Sequence, residues 1–308
     1  MARWREGGRE PASRRDTLPD FATLLDSVRG IRWPARSAVR GGIPGAHTSR
    51  MRGTSAEFTE YRPYRQGDDL GRIDWKLFAR SDRAYIRLSN DRAILPTTIV
   101  LDASASMAFP VETAGKWKLA AQLAVGLAAV ARNSADPVGL LIAREGRTIQ
   151  LPPRTRQGVI HEMIRAVSDV EPGGSEALSP SLSAAIRVSG RIMIISDFLG
   201  DADDLLANAS RAVVGAREVH ALHIVAPEEI QPRSDTVLVS DPEAPDIRRP
   251  MTADARDAYV AAYAGWRDRI AHDWSDASVS YAMAVVDAEA PDHLIRRVTA
   301  PRGVAASA

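Results

Sequence analysis

The stretch Ile94-Leu95-Pro96-Thr97-Thr98-Ile99-Val100-Leu101-Asp102-Ala103-Ser104-Ala105-Ser106 sets the fold of this chain. Residues 94–101 form an apolar run that stops at an acid, as a strand buried on both faces does. Asp102, Ser104 and Ser106 then follow on alternate residues of a short loop. Residues 116–132, rich in Ala and Leu, have the length and composition of a helix. Strand, loop and helix in that order are the unit of an α/β sheet.

The pattern repeats outward from there. Strands are predicted over 137–143, 148–151, 191–196, 218–225, 236–239 and 278–286, and helices over 157–167, 180–188, 203–214, 252–273 and 292–298. Alternation of this kind predicts an open, mostly parallel, doubly wound sheet with helices on both faces. Upstream, the spacing of Leu18, Phe21, Leu24, Leu25 and Val28 predicts a helix. Two strand-like runs lie around 57–61 and 84–88. The expected organisation is a disordered Arg-, Gly- and Pro-rich tail over 1–16, a small N-terminal helix and β extension over 17–92, an α/β domain over 93–300, and a short tail over 301–308.

Composition bounds the function. The 308 residues are 45% hydrophobic and 26% charged with net charge +1, so no global field points to nucleic acid or membrane. The sign is uneven: residues 1–92 hold 19 basic and 12 acidic residues, and the remainder 21 and 27. Cysteine is absent, which excludes disulfides, thiolate catalysis and Cys-ligated zinc and fits a cytoplasmic setting. The N-terminus leads into no apolar segment of signal-peptide type, and residues 119–131 are too short to span a bilayer.

In open parallel sheets, ligands sit beyond the carboxyl ends of the strands. Two strands here end in acids, Asp102 and Asp197. Asp102 with the Ser104 and Ser106 hydroxyls presents several hard oxygens to one side, a donor set suited to Mg2+ or Mn2+. The loop Glu171-Pro172-Gly173-Gly174-Ser175 offers a further hydroxyl, with glycines that allow close backbone approach.

This constellation resembles the metal-ion-dependent adhesion site of von Willebrand factor A domains. The resemblance implies that Asp102, Ser104 and Ser106 fill its first motif, that Ser175 stands where a Thr is usual, and that Asp197 supplies the last acid. It further implies Mg2+ (or Mn2+) as cofactor and an open coordination position that accepts an acidic side chain from a partner protein.

Upstream runs Tyr61-Arg62-Pro63-Tyr64-Arg65-Gln66-Gly67-Asp68-Asp69-Leu70-Gly71-Arg72-Ile73-Asp74-Trp75-Lys76-Leu77-Phe78-Ala79-Arg80. Gly67-Asp68-Asp69 is turn chemistry. Arg62, Asp74 and Arg80 are expected to form a buried charge-assisted network, with Trp75 as an apolar anchor. With Tyr64, Gly67, Asp68, Asp69, Asp74, Trp75 and Arg80 in place, the block is similar to the signature of the domain-of-unknown-function 58 family. That resemblance, over about residues 20–300, implies a cytoplasmic or membrane-tethered protein that partners a MoxR-type AAA+ ATPase. The signature residues themselves are expected to brace the fold.

Other classes fit less well. Gly115-Lys116 is no phosphate loop, because Pro110 stands where the first Gly is needed and Trp117 where Ser or Thr is needed. A phosphatase using Asp102 as nucleophile needs an Asp at position 104 and a lysine beyond the Asp102 helix. The only lysines are Lys76, Lys116 and Lys118. No Gly-x-Ser-x-Gly elbow occurs. Arg14, Arg15, Arg29, Arg32, Arg36, Arg40, Arg50 and Arg52 offer phosphate contacts, but no aromatic interleaving or nucleic-acid motif accompanies them. The sequence therefore reads as a non-enzymatic, metal-dependent binding module.

Overall fold

The computed structural model describes residues 19–35, 44–48, 58–65, 68, 73–89, 92–144, 146–240, 246 and 248–301. The expected tail 1–16, residues 302–308, and Gly67 and Asp69 of the signature lie outside the described residues, as do Arg14, Arg15, Arg36, Arg40, Arg50 and Arg52.

The apolar run becomes the central strand. In chain order the elements are α1 (Phe21–Ser27), β1 (Pro44–Thr48), β2 (Phe58–Pro63), α2 (Trp75–Ser81), β3 (Tyr85–Ser89), β4 (Arg92–Ala93) and β5 (Thr97–Asp102). A 3-10 turn (Ala105–Ala108) leads to α3 (Gly115–Asn133), β6 (Val138–Arg144), β7 (Arg147–Arg154), α4 (Val159–Ser168), α5 (Ser179–Val188) and β8 (Arg191–Ser196). Then come α6 (Ala202–Val214), β9 (Glu218–Val225), α7 (Pro227–Ile230), β10 (Leu238–Ser240), β11 (Arg248–Pro250), α8 (Ala253–Asp276), β12 (Ser280–Val285) and α9 (Pro291–Thr299).

Six strands form one sheet in the order β12-β9-β8-β5-β6-β7, parallel except for the β6–β7 hairpin. This is the open, mostly parallel sheet that the alternation predicts. Every residue of β5 is buried, and its side chains alternate between two cores. Ile99 and Leu101 join Leu123, Leu127 and Ile295 on one face, with α3, α4 and α9. Val100 joins Leu182, Leu205 and Trp274 on the other, with α5, α6 and α8. A sheet with helices on both faces needs this two-sided apolar character.

The N-terminal helix is part of this body. Asp20 caps α1, its Oδ1 accepting from the backbone N–H groups of Ala22 (3.0 Å) and Thr23 (3.2 Å). Phe21, Leu24, Val28 and Trp33 pack into the α3 face of the core. Arg191, with 0% of its side chain exposed, locks the following segment. Its guanidinium carbon lies 4.4 Å from the Trp33 ring centre and its Nη2 donates to the Trp33 and Pro34 carbonyls.

The signature block departs from expectation. Arg62 Nη2 donates to both Asp68 carboxylate oxygens, at 2.8 and 2.9 Å, rather than joining a network with Asp74 and Arg80. Asp74 caps α2 by accepting from the Lys76 and Leu77 N–H groups, each at 3.0 Å, and also accepts from the Tyr61 hydroxyl at 2.8 Å. Trp75 is 61% exposed, so its indole is no apolar anchor; the buried anchors here are Ile73 and Ile86. The reason is local. Asp74 fixes the first turn of α2, and Trp75, the first helical residue, lies edge-on to Phe78, itself 37% exposed, with ring centres 5.9 Å apart. Tyr64 and Arg80 lie on this block among the described residues, and Arg80 is exposed.

Candidate functional site

From β5 the chain proceeds to β6 on one side, and it later returns to β8 on the other. The neighbouring carboxyl ends of β5 and β8 thus form a topological switch point, where side chains of two loops converge. Asp102 ends β5, and Asp197 directly follows β8.

Asp102 is 4% exposed. Its Oδ1 accepts from the Ser104 backbone N–H at 2.9 Å and its Oδ2 from the Ser196 hydroxyl at 2.6 Å. Both donors are neutral. Burial, and secondarily the charge of Asp197, push its pKa up to about 7 against the pull of those hydrogen bonds. The Ser104 and Ser106 hydroxyl oxygens lie 3.0 Å apart and both residues are buried. The glycine-rich loop is stitched to this one. The Gly173 N–H donates to the Ala103 carbonyl and the Ala105 N–H to the Gly174 carbonyl, each at 2.8 Å. That stitching places Ser175 beside Asp102 and Ser104 in the lining of a cavity of about 280 Å³, with Ser196, Glu176 and Asp201.

Asp197 is held differently. Its Oδ1 accepts from the Leu199 N–H at 3.1 Å, and its Oδ2 accepts from Lys116 Nζ at 2.6 Å. The same ammonium donates to Glu229 Oε1 at 2.7 Å. Burial lowers the Lys116 pKa, but the charges of Asp197 and Glu229 more than offset this and hold it above the usual lysine value. In the sequence no lysine follows the Asp102 helix; in the fold Lys116 reaches the site from the first turn of that helix. Its two carboxylate partners are Asp197 and Glu229, not Asp102.

Sequence reasoning singles out Asp102, Ser104, Ser106, Ser175 and Asp197; in the fold Asp102, Ser104 and Ser175 line the cavity, Ser106 reaches the Ser104 hydroxyl, and Asp197 is paired with Lys116 instead. Sequence reasoning misses Ser196, Lys116 and Glu229. Ser196 was within reach, since it precedes Asp197 in Ile194-Ile195-Ser196-Asp197. Glu229 carries no local signal.

Among the described residues, no group of three or more His, Asp or Glu could hold a metal ion alone. A metal here would rest on hydroxyls and water as well as carboxylate. The residues present fit one. The Lys116 ammonium pairs with Asp197 and Glu229, so an ionised Asp102 carboxylate, buried and bonded by neutral donors, has no cation among its bonds, and such a charge is costly to bury. Asp102, with neutral donors only, borders the open cavity.

Residues 60–269 match the family described as "Protein of unknown function DUF58". The chain belongs to this family. Among curated proteins, this family member is 28% identical over 261 residues to the uncharacterized protein Rv1480 of Mycobacterium tuberculosis and to Mb1516 of Mycobacterium bovis, in each case over 82% of this chain and 81% of the relative. Among solved structures it is distantly similar to conserved hypothetical protein BatB from Bacteroides thetaiotaomicron. That likeness is 17% in identity, covers 66% of this chain and 96% of that one, and has a TM-score of 0.43. The SpRpn10 VWA domain is similar at 12% identity, over 67% and 95% of the two chains, with a TM-score of 0.39. At these scores neither adds to what the strand order already shows. No helix among the described residues is long and apolar enough to cross a membrane.

Proposed function

We propose that this chain is a non-enzymatic protein-binding module of the cytoplasm that works through a Mg2+ or Mn2+ ion. Asp102, Ser104 and Ser106 would hold the ion, with Ser175 and Asp197 completing the shell directly or through water. The ion would supply an open coordination position for an acidic side chain of a partner. One observation carries the reading: the Asp102 carboxylate is 4% exposed, bonded only by neutral donors, and borders an open cavity lined by the Ser104 and Ser175 residues. The partner proposed is a MoxR-type AAA+ ATPase in complex assembly or remodelling, and its support is the family membership alone.

The chain's own residues prepare the site. Ser196 and the Ser104 N–H fix the Asp102 carboxylate, and the Gly173–Gly174 backbone holds Ser175 against it. The test is affinity capture of the ATPase by wild type and Asp102→Ala, with and without Mg2+. Capture that survives excess chelator overturns the metal half of the reading. Asp102-dependent phosphate release from model esters would replace it with a phosphatase, and salt-steep binding to random DNA with a nucleic-acid protein.

A further inference from the structure

Lys116 has 0% of its side chain exposed, and its ammonium is shared between Asp197 Oδ2 at 2.6 Å and Glu229 Oε1 at 2.7 Å. Glu229 is itself fixed, its Oε2 accepting from the Ala226 N–H at 2.7 Å at the start of α7. Asp102, the neighbouring carboxylate, has no such partner among its bonds. A buried ammonium and a metal ion compete for the same carboxylate lone pairs and the same negative charge. We propose that Lys116 sets the metal affinity of this site: it is an internal cation that competes with Mg2+ for Asp197, and Glu229 is the counter-anion that draws it away.

The proposal rests on the metal reading above. The geometry supports competition in a specific way. One ammonium serves two carboxylates, so it stays ion-paired with Glu229 when Asp197 turns to a metal. No charge is then stranded in the core, which is the usual obstacle to breaking a buried pair. A lysine with a single acid partner would lack that second resting place.

Calorimetric titration of the full chain with MgCl2, after removal of bound ions with EDTA, tests this on wild type, Glu229→Gln and the double variant Lys116→Met/Glu229→Gln. Glu229→Gln is expected to bind Mg2+ about tenfold more weakly, because Lys116 then rests on Asp197 alone and a nearby negative charge is gone. The double variant removes one charge of each sign and frees Asp197. It is expected to bind about tenfold more tightly than wild type, an effect that net charge does not explain. Circular dichroism establishes that each variant is folded, and if the double variant fails to fold, a Glu229→Gln affinity within twofold of wild type still overturns the proposal. Folded variants within twofold of wild type would overturn the role of Lys116 and leave the metal reading standing. Absence of Mg2+ binding in wild type and both variants would overturn both. Binding by the double variant alone would overturn the wild-type metal site and sustain the competition.

Discussion

Lys116 and Asp197, 81 residues apart in sequence, meet as an ion pair of 2.6 Å with side-chain exposures of 0% and 2%. The pair ties the first turn of α3 to the end of β8 at the point where β5 and β8 leave the sheet. It also divides the two acids of the site, since Asp197 has an internal cation and Asp102 has hydrogen bonds from neutral groups only. Of the two acids, Asp102 is therefore the one whose bonds include no internal cation.

Asp102→Ala is expected to abolish Mg2+ binding and partner capture while the chain stays folded. Losing the carboxylate strands the Ser104 N–H and the Ser196 hydroxyl, a cost of about 1–3 kcal/mol. Removal of a buried charge offsets part of that. Calorimetry and thermal melting measure the two effects, and wild-type Mg2+ affinity in the variant contradicts the assignment.

Arg191→Met is expected to lose about 3–5 kcal/mol, because it removes the cation shared by the buried Asp136 and the partly buried Glu218 and strips the Trp33 and Pro34 carbonyls of a donor. Urea unfolding reads the change. A loss under about 1 kcal/mol would show that Arg191 does not hold the N-terminal segment.

Gly139→Ala is expected to cost about 1–3 kcal/mol. A Cβ there would sit 2.8 Å from the Leu151 carbonyl oxygen and 2.8 Å from the Pro153 nitrogen, both backbone atoms of β7 that cannot step aside. The same unfolding experiment decides it, and a neutral result would mean that the irregular β6–β7 pairing is looser than its geometry.

Trp75→Ala is expected to change stability by less than about 0.5 kcal/mol, as substitutions at exposed positions do. At 61% exposure the indole has little burial to lose. A loss above about 2 kcal/mol would restore Trp75 as a brace of the fold.

His223 is expected to contribute a loss of stability between about pH 6.5 and pH 4, opposite in sign to Asp102, whose pKa of about 7 makes its own contribution grow as pH falls. Burial lowers its pKa to about 4 in the fold from an ordinary 6.5. It lies among Phe198, Trp266 and Tyr281, with Nδ1 2.7 Å from the Tyr281 hydroxyl oxygen. A depressed folded pKa means that the neutral ring contributes fully above 6.5 and loses that contribution as pH falls through 4. The span corresponds to about 3 kcal/mol. The stability of wild type relative to His223→Gln should therefore fall over this window, and an NMR titration of His223 near 6.5 would contradict it.

Much of the fold was legible because its signals are local. The apolar run before Asp102 and the Ala- and Leu-rich segment after it need only neighbouring residues to declare a buried strand and a helix. The structure assigns them to Thr97–Asp102 and Gly115–Asn133. The helix α2, by contrast, was not legible. Its seven residues bury none of their side chains, and what fixes it is the Asp74 cap and the paired strands beside it. The candidate site divides the same way. Asp102, Ser104 and Ser106 share a loop and are visible together, whereas Ser196 matters only because β8 lies against β5.

The sequence by itself determined an α/β chain with an Asp102-Ala103-Ser104-Ala105-Ser106 loop at a strand end, because hydrophobic periodicity and loop chemistry act within a few residues. Only the tertiary structure decided that Lys116 settles on Asp197 and Glu229, that Arg191 holds Trp33, and that Trp75 faces outward. Those outcomes depend on strand order and on which helix covers which face, and pairs separated by 81, 113 and 158 residues meet only once the sheet is assembled.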